Sequence, residues 1–247
     1  MLKMKSPLNI SVSCFRNYNS PDDPKDVNLL TWLRSGKYRD QVTAIRSVVE
    51  KKERDRLKAA LPAITPSGTF NRRSSDAILR HSGLLQFDID GPDHEHVANF
   101  NELKLHIRKL PEIAYCGLSV SGCGYWGLIP IKYPNKHTSH FRALEKAFKR
   151  YGITIDASCK DVSRLRGYSF DPDGYFNHNA QAFTLLDDPK PIRVCRSQGS
   201  NTRSRIDSLV SQIQSQKIDM TQGYETWLRI GFALADEFGE NGRDLFR

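Results

Sequence analysis

The chain has 247 residues, 38% hydrophobic and 10% aromatic, enough to bury a core and to exclude a disordered tail. No run of eighteen apolar residues occurs, and the start MLKMKSPLNISVSCF lacks the apolar stretch of a secretory leader, so no membrane association is expected. Lys and Arg number 37 against 28 Asp and Glu, a formal charge of +9 that favours polyanionic partners. The five cysteines (Cys14, Cys116, Cys123, Cys159, Cys195) have no zinc-like spacing, which points to reduced thiols in a cytoplasm.

Residues 8–15 alternate apolar and polar side chains in the manner of a strand. Val42, Ile45, Val48, Val49 and Leu57 keep helical spacing, so an amphipathic helix is expected from Tyr38 to the Leu61-Pro62 stop. A Pro/Gly loop then runs to Arg72 and Arg73. Residues 83–90 (GLLQFDID) form an apolar strand pattern, and Val97, Phe100, Leu103, Ile107 and Leu110 fall at helical spacing. Strands follow at 113–119 and 125–133, a helix at 141–151 and a fourth strand at 152–156. This β-α-β-β-α-β order is the split βαβ unit, so the expected class is α+β: an N-terminal α/β segment packed on an RRM-like antiparallel sheet. Residues 161–188 close this first domain, 1–188. Residues 189–205 are rich in Pro, Ser, Gly and Arg and read as a linker; 206–247 carry two helical patterns too small for a core. The chain is therefore expected to be cut inside a further helical domain.

Asp88 and Asp90 stand two apart on a strand and share a face, so their charges repel unless a cation lies between them. Oxygen-only ligands suit Mg²⁺ or Mn²⁺. Asp156 ends the strand expected beside them and is the candidate third ligand, with Asp161 its rival. Ser119, Ser121, Gly122 and Gly124 mark a turn whose backbone is open to a phosphate, although a hairpin requires glycine in any case. Arg164 and Arg166, with Lys160 nearby, follow Asp156, and the arginines offer guanidinium forks to phosphate; a charge-protected strand edge is the plainer account of them. Arg72 and Arg73 share that ambiguity as nucleic-acid contacts. The run Asp93-His94-Glu95-His96 opens a helix after Gly91-Pro92, a placement that speaks against a ligand role.

In their order, FDID (87–90), SVSGCGYWG (119–127), ITID (153–156) and CKDVSRLRGYSFDP (159–172) resemble the archaeo-eukaryotic primase superfamily. More closely, LPAITPSGTF (61–70), HSGLLQFDID (81–90) and KDVSRLRGYSFDPDGYFN (160–177) look like the N-terminal domain of the virulence-associated E (VirE) family of Bacteroides-type mobile elements. Residues 223–246 are similar to the helical domain that trails such primases.

The resemblance implies primer synthesis from nucleoside triphosphates on single-stranded DNA, with a helicase often in the same full-length protein. It casts Asp88, Asp90 and Asp156 as metal ligands and Ser121, Gly122 and Gly124 as the nucleotide-binding turn, with Arg164 and Arg166 facing the nucleotide. One position departs: Trp126 stands where such primases carry a triphosphate-contacting His. Either it stacks on a base or it is a core aromatic. The competing expectation is a nucleotide- or template-binding module that has lost synthesis and assists a helicase.

Overall fold

The computed structural model describes residues 6–188, 201–219 and 223–246. The chain divides into two compact units that meet between residues 189 and 190.

The first unit has an α+β fold. It opens with β1 (Ser11–Phe15), β2 (Lys25–Asn28) and α1 (Leu29–Arg34), whose first turn is capped by the Asn28 side chain accepting from the Thr31 amide at 3.0 Å. The helix expected over 38–61 is two helices, α2 (Arg39–Ser47) and α3 (Lys51–Ala60). The β-branched pair Val48-Val49 disfavours helix, and the Glu50 carboxylate takes the amides of Lys52 and Glu53, starting α3 afresh. The expected Pro/Gly loop contains two short strands, β3 (Ala63–Thr65) and β4 (Gly68–Phe70), and β5 (Ile78–His81) returns against β4.

The strand pattern at 83–90 forms β6 (Leu84–Asp90). The helix expected from 97 to 110 shrinks to a 3₁₀ turn at Phe100–Glu102 and α4 (Leu103–Ile107). Then come β7 (Tyr115–Leu118), β8 (Gly124–Pro130) and α5 (His137–Lys149). The segment 152–156 lies beside β6 but builds no ladder. Its amides are spent elsewhere: Ile153 donates to the Phe148 carbonyl and Thr154 to His94 Nε2, leaving the Asp156 amide to reach the Asp88 carbonyl at 2.9 Å. Two short strands, β9 (Arg166–Gly167) and β10 (Tyr175–Phe176), lie within the closing segment.

These strands form one sheet in the order β2-β1-β3-β9 and another in the order β10-β7-β8-β6. β6 pairs with β8 along its whole length, from Leu84 opposite Pro130 to Asp90 opposite Gly124. One face of this second sheet carries Leu85, Phe87 and Ile89, packed with Phe141, Leu144 and Phe148 of α5 and Ile107 of α4. The other face carries Leu84, Trp126 and Leu128 against Val12 of β1 and Ile64 of β3. Each sheet thus covers the other, and even-numbered residues of β6 point into the seam between them.

The second unit consists of α6 (Asn201–Ser215), α7 (Tyr224–Phe238) and α8 (Arg243–Phe246). Residues 189–200 of the expected linker lie outside the described residues, and 201–205 are the first turn of α6. No helix among the described residues is long and apolar enough to cross a membrane.

Candidate functional site

Asp88 and Asp90 stand at the C-terminal end of β6, and the hydrogen bond from the Asp156 amide to the Asp88 carbonyl brings the third aspartate to the same place. Asp90 senses the other two acids. Burial, then the neighbouring Asp88 carboxylate, raise the Asp90 pKa above the ordinary carboxylate range, with a further push from Asp156 and an opposing pull from Arg166. Asp156 goes the other way. Burial would raise it, but the hydroxyl and amide of Ser158 and the nearby Arg164 outweigh burial and hold it below its ordinary value.

Two arginines are already engaged here. Arg166, from β9 of the facing sheet, reaches Asp88 Oδ2 at 2.8 Å, with side chains only 8% and 12% exposed. Burial would lower the Arg166 pKa, yet the Asp88 charge outweighs it and holds the guanidinium above its usual value. Gln86, fully buried on the same face of β6, accepts from Arg166 Nε at 3.3 Å and donates to the Arg164 carbonyl at 2.8 Å. Arg164 in turn reaches Asp156 Oδ2 at 2.9 Å, its side chain 43% exposed. One Asp88 oxygen, Oδ1, is buried with no hydrogen-bond partner.

Trp126 lies opposite Asp88 in the β6–β8 register and is fully buried. Its ring sits 4.8 Å from that of Tyr115 and 5.1 Å from the Arg166 guanidinium carbon. Of its two expected roles, the structure supports the core aromatic: a cation–π partner for Arg166 without access to a base.

The turn at 119–124 is held tightly. The Ser119 amide donates to Gly124 and the Gly122 amide to Ser119, so neither is available to a phosphate. The Ser119 and Ser121 hydroxyls face each other at 3.2 Å. Gly122 has φ +75, and a Cβ on Gly124 would lie 2.4 Å from the Ile89 carbonyl oxygen, so local packing accounts for both glycines. From α2, Arg46 grips the turn through the carbonyls of Ser119 at 3.0 Å and Val120 at 3.3 Å, and also reaches Phe170 at 2.8 Å. No local pattern marks that residue, which contacts a turn more than seventy positions away.

His94 is likewise a fastener. Its Nε2 accepts from the Thr154 amide, so Nδ1 carries the proton and donates to the Asp90 carbonyl at 2.6 Å. His96 Nε2 lies 3.0 Å from the Gly152 carbonyl. The pair therefore ties the end of β6 to the segment that carries Asp156. Asp161, the rival third acid, is exposed and accepts from the amide and hydroxyl of Ser163. Lys160 is exposed beside it. Arg72 pairs with Asp76 and Arg73 binds the Tyr18 carbonyl at 2.6 Å, both within the loop between β4 and β5. Among the described residues, neither forms an ion pair or hydrogen bond with Asp88, Asp90 or Asp156.

Among the described residues, no three His, Cys, Asp or Glu side chains come together as a ready-made metal cluster. What the site offers a hard cation is smaller: a buried carboxylate oxygen on Asp88 and the exposed Asp90 two residues on. That donor set fits a divalent ion drawing its remaining oxygens from phosphate and water.

Two facing sheets, with Asp88 and Asp90 at one end of their seam and the Asp156 backbone bonded beside them, form the candidate site. Residues 56–176, just under half of the chain, match the family model described as BT4734-like, N-terminal domain. The match accords with a Bacteroides-type family and carries no activity with it. No curated protein and no solved structure matches the chain.

Proposed function

We propose that the first unit is a primase-like nucleotidyltransferase of a mobile genetic element, joining nucleoside triphosphates on a single-stranded DNA template in the cytoplasm. One observation carries this reading: Asp88 and Asp90 share the end of β6, the Asp156 amide binds the Asp88 carbonyl there, and an Asp88 oxygen is buried and unpartnered. Mg²⁺ or Mn²⁺, when bound, would supply activation of the attacking hydroxyl and neutralise charge on the leaving pyrophosphate. Asp88 and Asp90 would hold it. Arg166 pairs with Asp88 and fixes its carboxylate in direction. Arg164 is exposed enough to exchange the Asp156 carboxylate for a phosphate oxygen.

The test is extension on single-stranded DNA by the chain within its full-length protein, with Mg²⁺ or Mn²⁺ and either ribo- or deoxynucleoside triphosphates. Labelled product should form and disappear in Asp88→Asn and Asp90→Asn. Absence of product from the unaltered protein under every condition sinks the reading.

A second reading, a binding module that assists a helicase without synthesising, draws on the burial of Trp126 where the resemblance sets a phosphate-contacting His, and on the arginines that already balance Asp88 and Asp156. It predicts DNA binding that survives Asp88→Asn and no extension by any form. Strand cleavage in place of either outcome would assign a nuclease.

A further inference from the structure

A groove of about 910 Å³ runs between β5, the start of α5 and residues 160–162. Four cations line it from separate elements: Arg80 on β5, Lys136 ahead of α5, Arg142 on α5 and Lys160 in the 3₁₀ turn Ala157–Lys160. Lys136 pairs with Asp188 at 3.2 Å, whereas Arg80, Arg142 and Lys160 enter no ion pair among the described residues. Asp161 and Asp188 are the acids in the lining. His81 and His137, in contact at 3.0 Å, also line the groove, and among the described residues no Phe, Tyr or Trp does. Leu79 adds an apolar edge, 62% exposed.

Cations free of ion pairs on three elements suit a chain of phosphates, which a groove can follow from one charge to the next. The groove also adjoins the acids. Asp156 caps the very turn that ends in Lys160, a span of about 8 Å at 2.0 Å per residue.

We propose that this groove docks the sugar-phosphate backbone of a single-stranded nucleic acid and delivers it to the end of β6. The identity of the strand as a template rests on the nucleotidyltransferase reading; the docking itself does not.

The experiment is fluorescence anisotropy of a labelled mixed-sequence oligonucleotide titrated with the 247-residue chain at several salt concentrations, without divalent metal. Arg80→Ala/Arg142→Ala/Lys160→Ala should weaken binding about tenfold or more and flatten the log K against log salt slope by about 2, at ~0.7 per lost phosphate contact. A control of equal charge loss, Lys51→Ala/Lys52→Ala/Lys149→Ala, should bind more nearly like the unaltered chain, and thermal melts should show both variants folded. Absence of binding by the unaltered chain overturns the proposal. So does an equal loss in both variants, or an unchanged slope in the groove variant. Displacement by free nucleoside triphosphate as effective as by unlabelled strand at equal phosphate would make the groove a nucleotide pocket and also overturn it. The titration contains neither divalent metal nor nucleoside triphosphate, so failure of primer synthesis leaves the docking assignment standing.

Discussion

The two faces of β6 bury their side chains by opposite means. On the helix-covered face, Leu85, Phe87 and Ile89 are wholly apolar and pack on Phe141, Leu144 and Phe148. On the face toward the other sheet, Gln86 and Asp88 bind Arg166 beneath Trp126. Strand alternation, which usually separates core from solvent, here separates two interiors. The first supplies stability without specificity of charge. The second keeps a buried ion pair that an apolar pair of similar volume would commonly match or exceed in stability.

Mutation can break this contrast. Phe87→Ala should cost most, about 3–5 kcal/mol, because it empties a fully buried position against Phe148. Urea unfolding would measure it, and a loss below ~1 kcal/mol would show that the helix-covered face is not the main source of stability. Arg166→Met should cost about 3 kcal/mol by stranding Asp88, and Asp88→Asn/Arg166→Met should recover much of that loss. Equal losses in the single and double variants would mean the pair is uncoupled.

The histidines sharpen the contrast with a third means of burial, neutrality. His81 Nδ1 accepts from the Gly83 amide, so Nε2 donates to His137 Nδ1. Burial pushes both rings from the usual 6.5 down to about 4. Between those values the unfolded chain binds more protons than the folded one. Stability should therefore fall as pH drops from 6.5 toward 4, by at most about 1.4 kcal/mol per pH unit for each ring. Urea midpoints at stepped pH would show it, and His81→Gln should flatten the profile; an unaltered profile removes the histidines as its cause. The smallest effect belongs to Trp126→Phe, within about 1 kcal/mol of neutral. It weakens the contact with Arg166 but also deletes a buried indole N–H that has no partner. A loss above ~2 kcal/mol would give that ring a larger part in the seam.

Much of this architecture was legible because it depends on short-range pattern. The alternation of residues 84–90 set which side chains share a face, and so paired Asp88 with Asp90. Asp156 could be placed because an apolar run ends at it, even though that run builds no ladder once its amides turn to Phe148 and His94. Long-range partners were not legible. Nothing near Arg166 says that its guanidinium crosses to Asp88 rather than facing a nucleotide, and nothing near Arg46 says that it clasps the turn at 119–124. The break between α2 and α3 depended on Glu50 acting as a cap, a role its place in a charged run conceals.

The single amide bond between Asp156 and Asp88 has a consequence for motion. β6 and β8 open only if a seven-residue ladder gives way, whereas the 153–156 segment has one backbone bond to β6 and is otherwise held by the His94 clasp, the Phe148 carbonyl and the buried side chains of Ile153 and Ile155. In deuterated water, the Asp156 amide should therefore exchange by local fraying, well before the amides of Phe87 or Leu128. The third acid is hung on a hinge, while the first two are set in the wall.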